Sequence, residues 1–136
     1  MVSRIVISIF SSSLKRSQNF YTKLLSLNTI FEAKWIIQLS SAQNESLNLT
    51  LQPRDHQLVP KRFQTAPQGT CITFVVPDCD AIYKEAVSMN LEIIQEPKNE
   101  DYGQRRFLTV DPDGQLIDIS SPCEPSQDFI DKYMSG

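Results

Sequence analysis

Asp118 is the residue of this 136-residue chain whose type and position best fit acid–base chemistry. Asp118 stands between Ile117 and Ile119 in the sequence. This run alternates apolar and polar residues, as a half-buried strand does. A carboxylate there must point into a cavity or find a partner, because burying an isolated charge is costly. It could act as a general base, or pair with a cationic ligand or with Arg105. Asp118 is the best catalytic candidate, and a structural ion pair is the alternative.

Cys71 and His56 are the other side chains with catalytic or metal-binding chemistry. A catalytic thiol needs a base or a positive field to lower its pKa. The single histidine, His56, lies in a proline-containing stretch with no sequence reason to adjoin Cys71. The three cysteines, Cys71, Cys79 and Cys123, lack the Cys-x-x-Cys spacing of a zinc or redox site. We therefore expect reduced thiols and a solvated histidine.

Composition limits the classes of partner. The net charge is −3 and no basic run is longer than two residues, which argues against nucleic acid or an anionic membrane. No apolar run is long enough to span a membrane, and no secretory signal pattern precedes the first strand. With 40% hydrophobic residues, the chain can bury one sizeable core. We expect a single cytoplasmic domain over 1–136 that binds a small molecule or another protein.

Apolar periodicity predicts the order strand, helix and three strands, twice. A first half at about 3–52 contains the alternating strand 4–10, a helix begun by the serines 11–13, and strands near 28–32, 35–40 and 46–51. A long loop or short irregular helix follows at 53–68, and a second half at about 69–121 contains strand 71–76, a helix capped by Asp78, and runs near 91–97, 105–110 and 115–120. Residues 125–134 read as a C-terminal helix.

The last two strands flank the turn Asp111-Pro112-Asp113-Gly114, which is a strong hairpin signal. Proline presets one backbone angle, and glycine accepts a positive one. As evidence of function the turn is weak, because most such turns only connect strands.

The two halves resemble each other in sequence. Residues 20–28 align with residues 82–90 at a constant offset of 62, and tyrosine, serine and asparagine recur in register. Such a repeat predicts an α+β fold of tandem βαβββ modules, in which curled mixed sheets enclose a concave cup. Chance similarity between two amphipathic helices is the alternative. The inner face of the cup is where a ligand would bind.

Strand parity predicts the residues that line this cup. If Ile5, Ile7 and Ile9 pack on the helices, their alternate neighbours point inward, and the same rule applies to the later strands. Arg105 and Phe107 are assigned to the inner face, although a register slip would place Arg106 there instead. The inward-facing candidates are Val6, Ser8, Asn48, Thr50, Cys71, Thr73, Arg105, Phe107 and Asp118.

Three aromatic residues complete the predicted ligand-binding set. Trp35, the only tryptophan, either packs in the core or offers a flat surface for a planar ligand. Phe63 and Tyr102 lie on connections beside the cup, where each is either a lid over a ligand or an ordinary loop contact.

The chain resembles the vicinal-oxygen-chelate superfamily, which includes glyoxalase I, bleomycin-resistance proteins and extradiol dioxygenases. The resemblance rests on residues 17–25, which are similar to the first-helix motif, on residues 76–81 at the junction to the second helix, and on the final hairpin 102–119. It covers about residues 3–121 and implies a glyoxalase-like fold, usually a homodimer, with ligand bound in the cups.

In metal-dependent members of that superfamily, two histidines and a glutamate hold the ion. The resemblance places those positions on Val6, Cys71 and Asp118. Valine offers no lone pair, and a thiolate with one carboxylate leaves an incomplete shell, so we expect no metal and no cofactor.

Three functions then remain. The favoured one is a metal-free protein that binds a small molecule of unknown identity, as bleomycin-resistance proteins sequester a drug. The alternatives are an enzyme of the same superfamily, a lyase, isomerase or transferase with an atypical site, and an interaction protein whose cup is filled by protein.

Overall fold

The structure, a computed structural model, describes residues 1–135, apart from the side chains of Glu45 and Ser46. Its strands are β1 (Val6–Ser11), β2 (Asn28–Ala33), β3 (Ile36–Ser41), β4 (Asn44–Pro53), β5 (Cys71–Val75), β6 (Ile93–Glu100), β7 (Gln104–Val110) and β8 (Leu116–Pro122). Its helices are α1 (Leu14–Leu25), α2 (Cys79–Ser88) and the short α3 (Gln127–Phe129), which continues as a π-helical turn over Ile130–Met134. A single 3₁₀ turn, Lys61–Phe63, interrupts the long loop in the described part of the chain.

The chain forms two compact units. The first comprises Met1–Gly69 together with Asp111–Gln115, and the second comprises Thr70–Val110 and the chain from Leu116 onward. The predicted α+β architecture with two mixed sheets is confirmed. The assignment of both units to one domain stays a prediction.

In the first unit, α1 covers one face of a four-stranded sheet. The strand order is β1-β4-β3-β2, with β1 parallel to β4 and the other pairs antiparallel. Ser13 caps α1, because its side chain accepts a hydrogen bond from the backbone N–H of Arg16. The apolar stripe of α1 and the facing strand residues form the core of this unit, which contains Ile9, Phe20, Tyr21, Leu24, Ile37, Leu39, Leu49 and Leu51.

The second unit repeats this plan. Its strand order is β5-β8-β7-β6, with β5 parallel to β8. Asp78 caps α2 by accepting hydrogen bonds from the backbone N–H groups of Asp80 and Ala81. The ring of Tyr83 on α2 packs edge-on against Phe107, with the ring centroids 5.3 Å apart. One face of this sheet therefore packs against α2.

The expected packing of the first strand was wrong in part. The strand was predicted over residues 4–10 with Ile5, Ile7 and Ile9 packed on the helices, but β1 begins at Val6, and the side chains of Ile5 and Ile7 are 73% and 39% exposed. Of these three isoleucines, Ile9 is the one that is buried in the core.

The hairpin turn does more than connect β7 and β8, because it belongs to the first unit and its carboxylates are buried there. Asp111 accepts hydrogen bonds from the backbone N–H groups of Asp113 and Gln115 at 2.8 and 2.9 Å. The Tyr21 hydroxyl donates to the other oxygen of Asp111 at 2.7 Å. Burial raises the pKa of Asp111 even though these donors oppose the rise.

Asp113 ties the turn to the segment that leads into α1. It accepts from the backbone N–H of Ser12 at 2.8 Å, from the Ser17 hydroxyl at 3.2 Å and from Arg54 Nη2 at 2.8 Å. Burial alone would raise the pKa of Asp113, but the hydrogen bonds from Ser12 and the charge of Arg54 outweigh it, so that pKa is lowered. The turn therefore holds the residue before the N-cap, a side chain of α1 and Arg54 through one buried carboxylate.

Candidate functional site

The predicted inner residues of the first half share the sheet face opposite α1. Strand register pairs Val6 with Asn48 and Ser8 with Thr50 on the parallel strands β1 and β4. Val6 is 41% exposed, whereas Thr50 is buried. These four residues are mixed in polarity, because the apolar Val6 lies beside the amide of Asn48 and two hydroxyls follow along the strands.

Trp35 lies in the turn between β2 and β3 and is 45% exposed, so the core-packing alternative was wrong. Its ring centroid is 6.2 Å from that of His56, and the two planes are tilted by 30°. His56 Nδ1 accepts from the backbone N–H of Leu58. The pair offers an open aromatic surface in the first unit, and its use by a planar ligand stays a prediction.

In the second unit, the sheet face opposite α2 brings Cys71, Thr73 and Asp118 together. Thr73 pairs with Asp118 in the parallel ladder, and its hydroxyl donates to Asp118 Oδ2 at 2.9 Å. Ser120 donates to Asp118 Oδ1 at 2.7 Å, and Arg106 Nη1 lies 3.5 Å from Oδ2. Both oxygens of the Asp118 carboxylate are thus bonded within the protein.

The assignment of Arg105 and Phe107 to this face was wrong. In the antiparallel ladder, Arg106 pairs with Ser120 and therefore shares the face of Asp118. Arg105 lies on the α2 side, where its guanidinium bonds Asp80 at 2.9 and 3.1 Å. Phe107 is buried on the same side. The predicted register of β7 was off by one residue, which places every side chain of the strand on the opposite face. Arg106 is therefore the partner of Asp118.

Sequence reasoning missed Glu100. Its Oε2 accepts from Arg106 Nε at 2.6 Å, and Lys98 Nζ lies 3.5 Å from its Oε1. Hydrogen bonding from Arg106 lowers the pKa of Glu100 and raises the pKa of Arg106. The pairing of Lys98 with Arg106 and of Glu100 with Gln104 across β6 and β7 places these residues on one face. The alternation of Lys98 and Glu100 after Pro97 is the sequence feature that could have indicated Glu100 as a residue of this face.

We name the group Thr73, Glu100, Arg106, Asp118 and Ser120 the Arg106 cluster. Two hydroxyls and a guanidinium hold the Asp118 carboxylate in place. Cys71 beside the cluster is exposed, but burial of its sulfur and then the charge of Asp118 raise the pKa of its thiol.

These residues do not fit a metal. Val6 has no donor atom, the Asp118 carboxylate is already bonded, and the Arg106 guanidinium beside it would repel a cation. A raised thiol pKa also disfavours Cys71 as a thiolate ligand. No group of three or more histidine, cysteine, aspartate or glutamate residues in the described part of the chain could hold a metal ion.

Phe63 and Tyr102 are each 48% exposed. Phe63 ends the 3₁₀ turn, and the Arg62 guanidinium lies 4.8 Å from its ring centroid. Tyr102 lies in the turn between β6 and β7. The Phe63 contact fits an ordinary loop contact, and a lid role for either residue stays a prediction. Across the described residues, we find no helix with the length and apolarity that a membrane crossing requires.

Comparison with models of known protein families identifies the family of this chain. The profile of the glyoxalase-like domain matches residues 4–124. The chain belongs to this family. Its βαβββ units, each with a parallel first and last strand, are the architecture that the sequence resemblance implied.

Solved structures agree with this family at the level of the fold. A glyoxalase/bleomycin resistance protein/dioxygenase superfamily member from Sphaerobacter thermophilus has a TM-score of 0.72 at 17% identity, covering 89% of this chain and 98% of its own. A family enzyme from Burkholderia phytofirmans has a TM-score of 0.75 at 14% identity, covering 86% and 96%. TnmS3, an antibiotic binding protein from a Streptomyces strain, has a TM-score of 0.70 at 18% identity, covering 90% and 97%. A search of curated proteins found no match.

Proposed function

We propose that this protein binds a small organic molecule without using a metal ion, and that the Arg106 cluster is part of the binding site. The observation that supports the proposal is the hydrogen bonding of the Asp118 carboxylate. At the position where the sequence resemblance placed a metal ligand, this carboxylate is instead bonded by Thr73, Ser120 and Arg106. A carboxylate held by these three side chains fixes their positions and so forms an ordered polar surface to which a ligand could hydrogen-bond.

The fold relative TnmS3 supports binding as a function that this architecture serves, since it is an antibiotic binding protein. The enzyme alternative has less support, because neither Asp118 nor Cys71 is set up as a base or nucleophile. The ligand of this chain need not be an antibiotic, and its chemistry must come from the site itself.

The test combines elemental analysis with a thermal-shift screen of small organic compounds on the purified protein. We expect no stoichiometric metal after incubation with zinc, nickel, manganese and iron(II). A compound present at about 100 times its Kd should stabilise the fold by about 2.7 kcal/mol, and Asp118→Asn should weaken that effect. One metal per chain, lost in Asp118→Ala, would overturn the proposal.

A further inference from the structure

The sheet face of the first unit opposite α1 carries a compact group of polar side chains. Strand register aligns Ser8 of β1, Thr50 of β4 and Gln38 of β3 in one row. Neighbouring side chains in such a row are about 5 Å apart. The row ends at Phe31 of β2, which pairs with Gln38. Gln52 lies on β4 about 7 Å beyond Thr50 and therefore on the same face.

This face lacks charge. None of the described side chains of β1 to β4 that point to this side is charged, and Glu32 of β2 points to α1, where it bonds Lys15. The second unit differs, because Asp118 stands at the position of Thr50, each paired with the third residue of its unit's first strand. Protein surfaces that meet only water generally carry charged side chains. The uncharged face therefore suits a neutral ligand.

The polar atoms at the margin of the row are open to a ligand. Ser8 is exposed, and Gln38 and Gln52 are partly exposed. These three side chains form no hydrogen bond within the described residues. The buried polar atoms that lack a partner in that part of the chain belong to other residues, so solvent reaches the unpaired amides of Gln38 and Gln52.

The chemistry of these groups indicates the class of ligand. Hydroxyl and amide groups both donate and accept hydrogen bonds. They match an uncharged molecule whose own groups also do both, and a molecule with several hydroxyls is of this kind. The Phe31 ring is 49% exposed at the end of the row. The C–H groups of a sugar ring pack well against the negative face of such a ring.

We propose that the first unit binds an uncharged saccharide on the face opposite α1. Ser8, Gln38 and Gln52 supply its hydrogen bonds, and Phe31 supplies the surface on which the sugar ring stacks. This inference goes beyond the proposed function, because it assigns a binding face to the first unit and does not use the Arg106 cluster.

Titration of the ¹⁵N-labelled full chain with sugars, followed by NMR, tests the proposal through the side-chain amide signals of glutamine. The neutral probes are glucose, galactose and maltose. We expect at least one of them to shift the amide signals of Gln38 and Gln52 and to leave that of Gln43, in an exposed turn of the same unit, unchanged. Glucosamine and glucuronate should bind no more tightly than the neutral sugars, because the face offers no ion to pair with their charge.

Variants of partly exposed residues separate the contacts. Gln38→Leu and Gln52→Leu should each weaken sugar binding about fivefold, which corresponds to about 1 kcal/mol for one lost hydrogen bond. Gln43→Leu is the matched control and should leave the affinity unchanged. Gln38→Glu keeps the shape of the side chain but adds a negative charge, so the preference should move about fivefold toward glucosamine.

Three results would overturn the inference. The first is the absence of shifts at Gln38 and Gln52 with all three neutral sugars. The second is an affinity that Gln38→Leu and Gln52→Leu leave unchanged. The third is a shift of both signals with protein concentration alone, which would mean that a second copy of the chain covers this face. The proposed function is tested separately, by metal content and by Asp118→Asn, so either proposal can fail without the other.

Discussion

Replacing Tyr21 with phenylalanine should destabilise the protein through one buried hydroxyl. The Tyr21 side chain is fully buried, and its hydroxyl donates to Asp111 Oδ2 at 2.7 Å. In Tyr21→Phe, the ring still fills its place in the core, but Asp111 keeps only its two backbone donors. The variant therefore isolates the effect of one donor to a buried carboxylate.

The expected loss of unfolding free energy in Tyr21→Phe follows from the charge of the Asp111 acceptor. A hydrogen bond to a charged group contributes about 1.5–3 kcal/mol to folding stability. The unfolding entropy of about 2.1 cal/mol/K per residue amounts to about 0.29 kcal/mol/K for the 136 residues, so a loss of about 2 kcal/mol lowers Tm by about 7 °C. Urea unfolding at neutral pH measures the free-energy loss directly.

The loss should depend on pH in a defined direction. Burial raises the pKa of Asp111 in the folded state, so its contribution to stability is present at low pH and is lost as pH rises through that pKa. Tyr21 opposes this loss because its hydroxyl stabilises the carboxylate. Tyr21→Phe raises the Asp111 pKa further, so the difference between variant and wild type should shrink in mild acid. Asp113 has a lowered pKa and the opposite pH dependence, but it is present in both proteins.

The internal repeat provides the control. Tyr83 occupies the position of Tyr21 in α2, and its hydroxyl has no hydrogen bond to any residue that the structure describes. Tyr83→Phe should therefore change stability by less than about 0.5 kcal/mol. Equal losses in the two variants, or a loss in Tyr21→Phe that grows in acid, would refute the role assigned to Asp111.

Two further changes test α2 and the Arg106 cluster. Asp78→Ala removes the acceptor for the N–H groups of Asp80 and Ala81 and should cost about 1 kcal/mol in urea unfolding, with Asp78→Asn retaining most of it. Asp118→Asn should speed the reaction of Cys71 with a disulfide reagent at neutral pH, because burial and then the Asp118 charge raise that thiol pKa. An unchanged rate would mean that the Asp118 charge does not control this thiol.

Much of the fold could be predicted from local patterns. Ser13 and Asp78 were identifiable as helix caps because capping depends on residues within one helical turn. The Asp-Pro-Asp-Gly turn likewise depends on four consecutive residues. The repeat of Tyr21 at Tyr83 spans 62 residues, but comparing the sequence with itself reveals it. None of these signals requires knowledge of the tertiary contacts.

The candidate site depended on information that local patterns do not contain. Arg105 and Arg106 are adjacent and chemically identical, so only the pairing of β7 with β8 decides which one meets Asp118. The sequence by itself determined the element order, the caps and the hairpin. The tertiary structure alone decided that Tyr21 bonds Asp111, 90 residues away, and that Arg106 joins Asp118 and Glu100. The reason is physical: these contacts join segments distant in sequence, and strand register and burial set them rather than residue type.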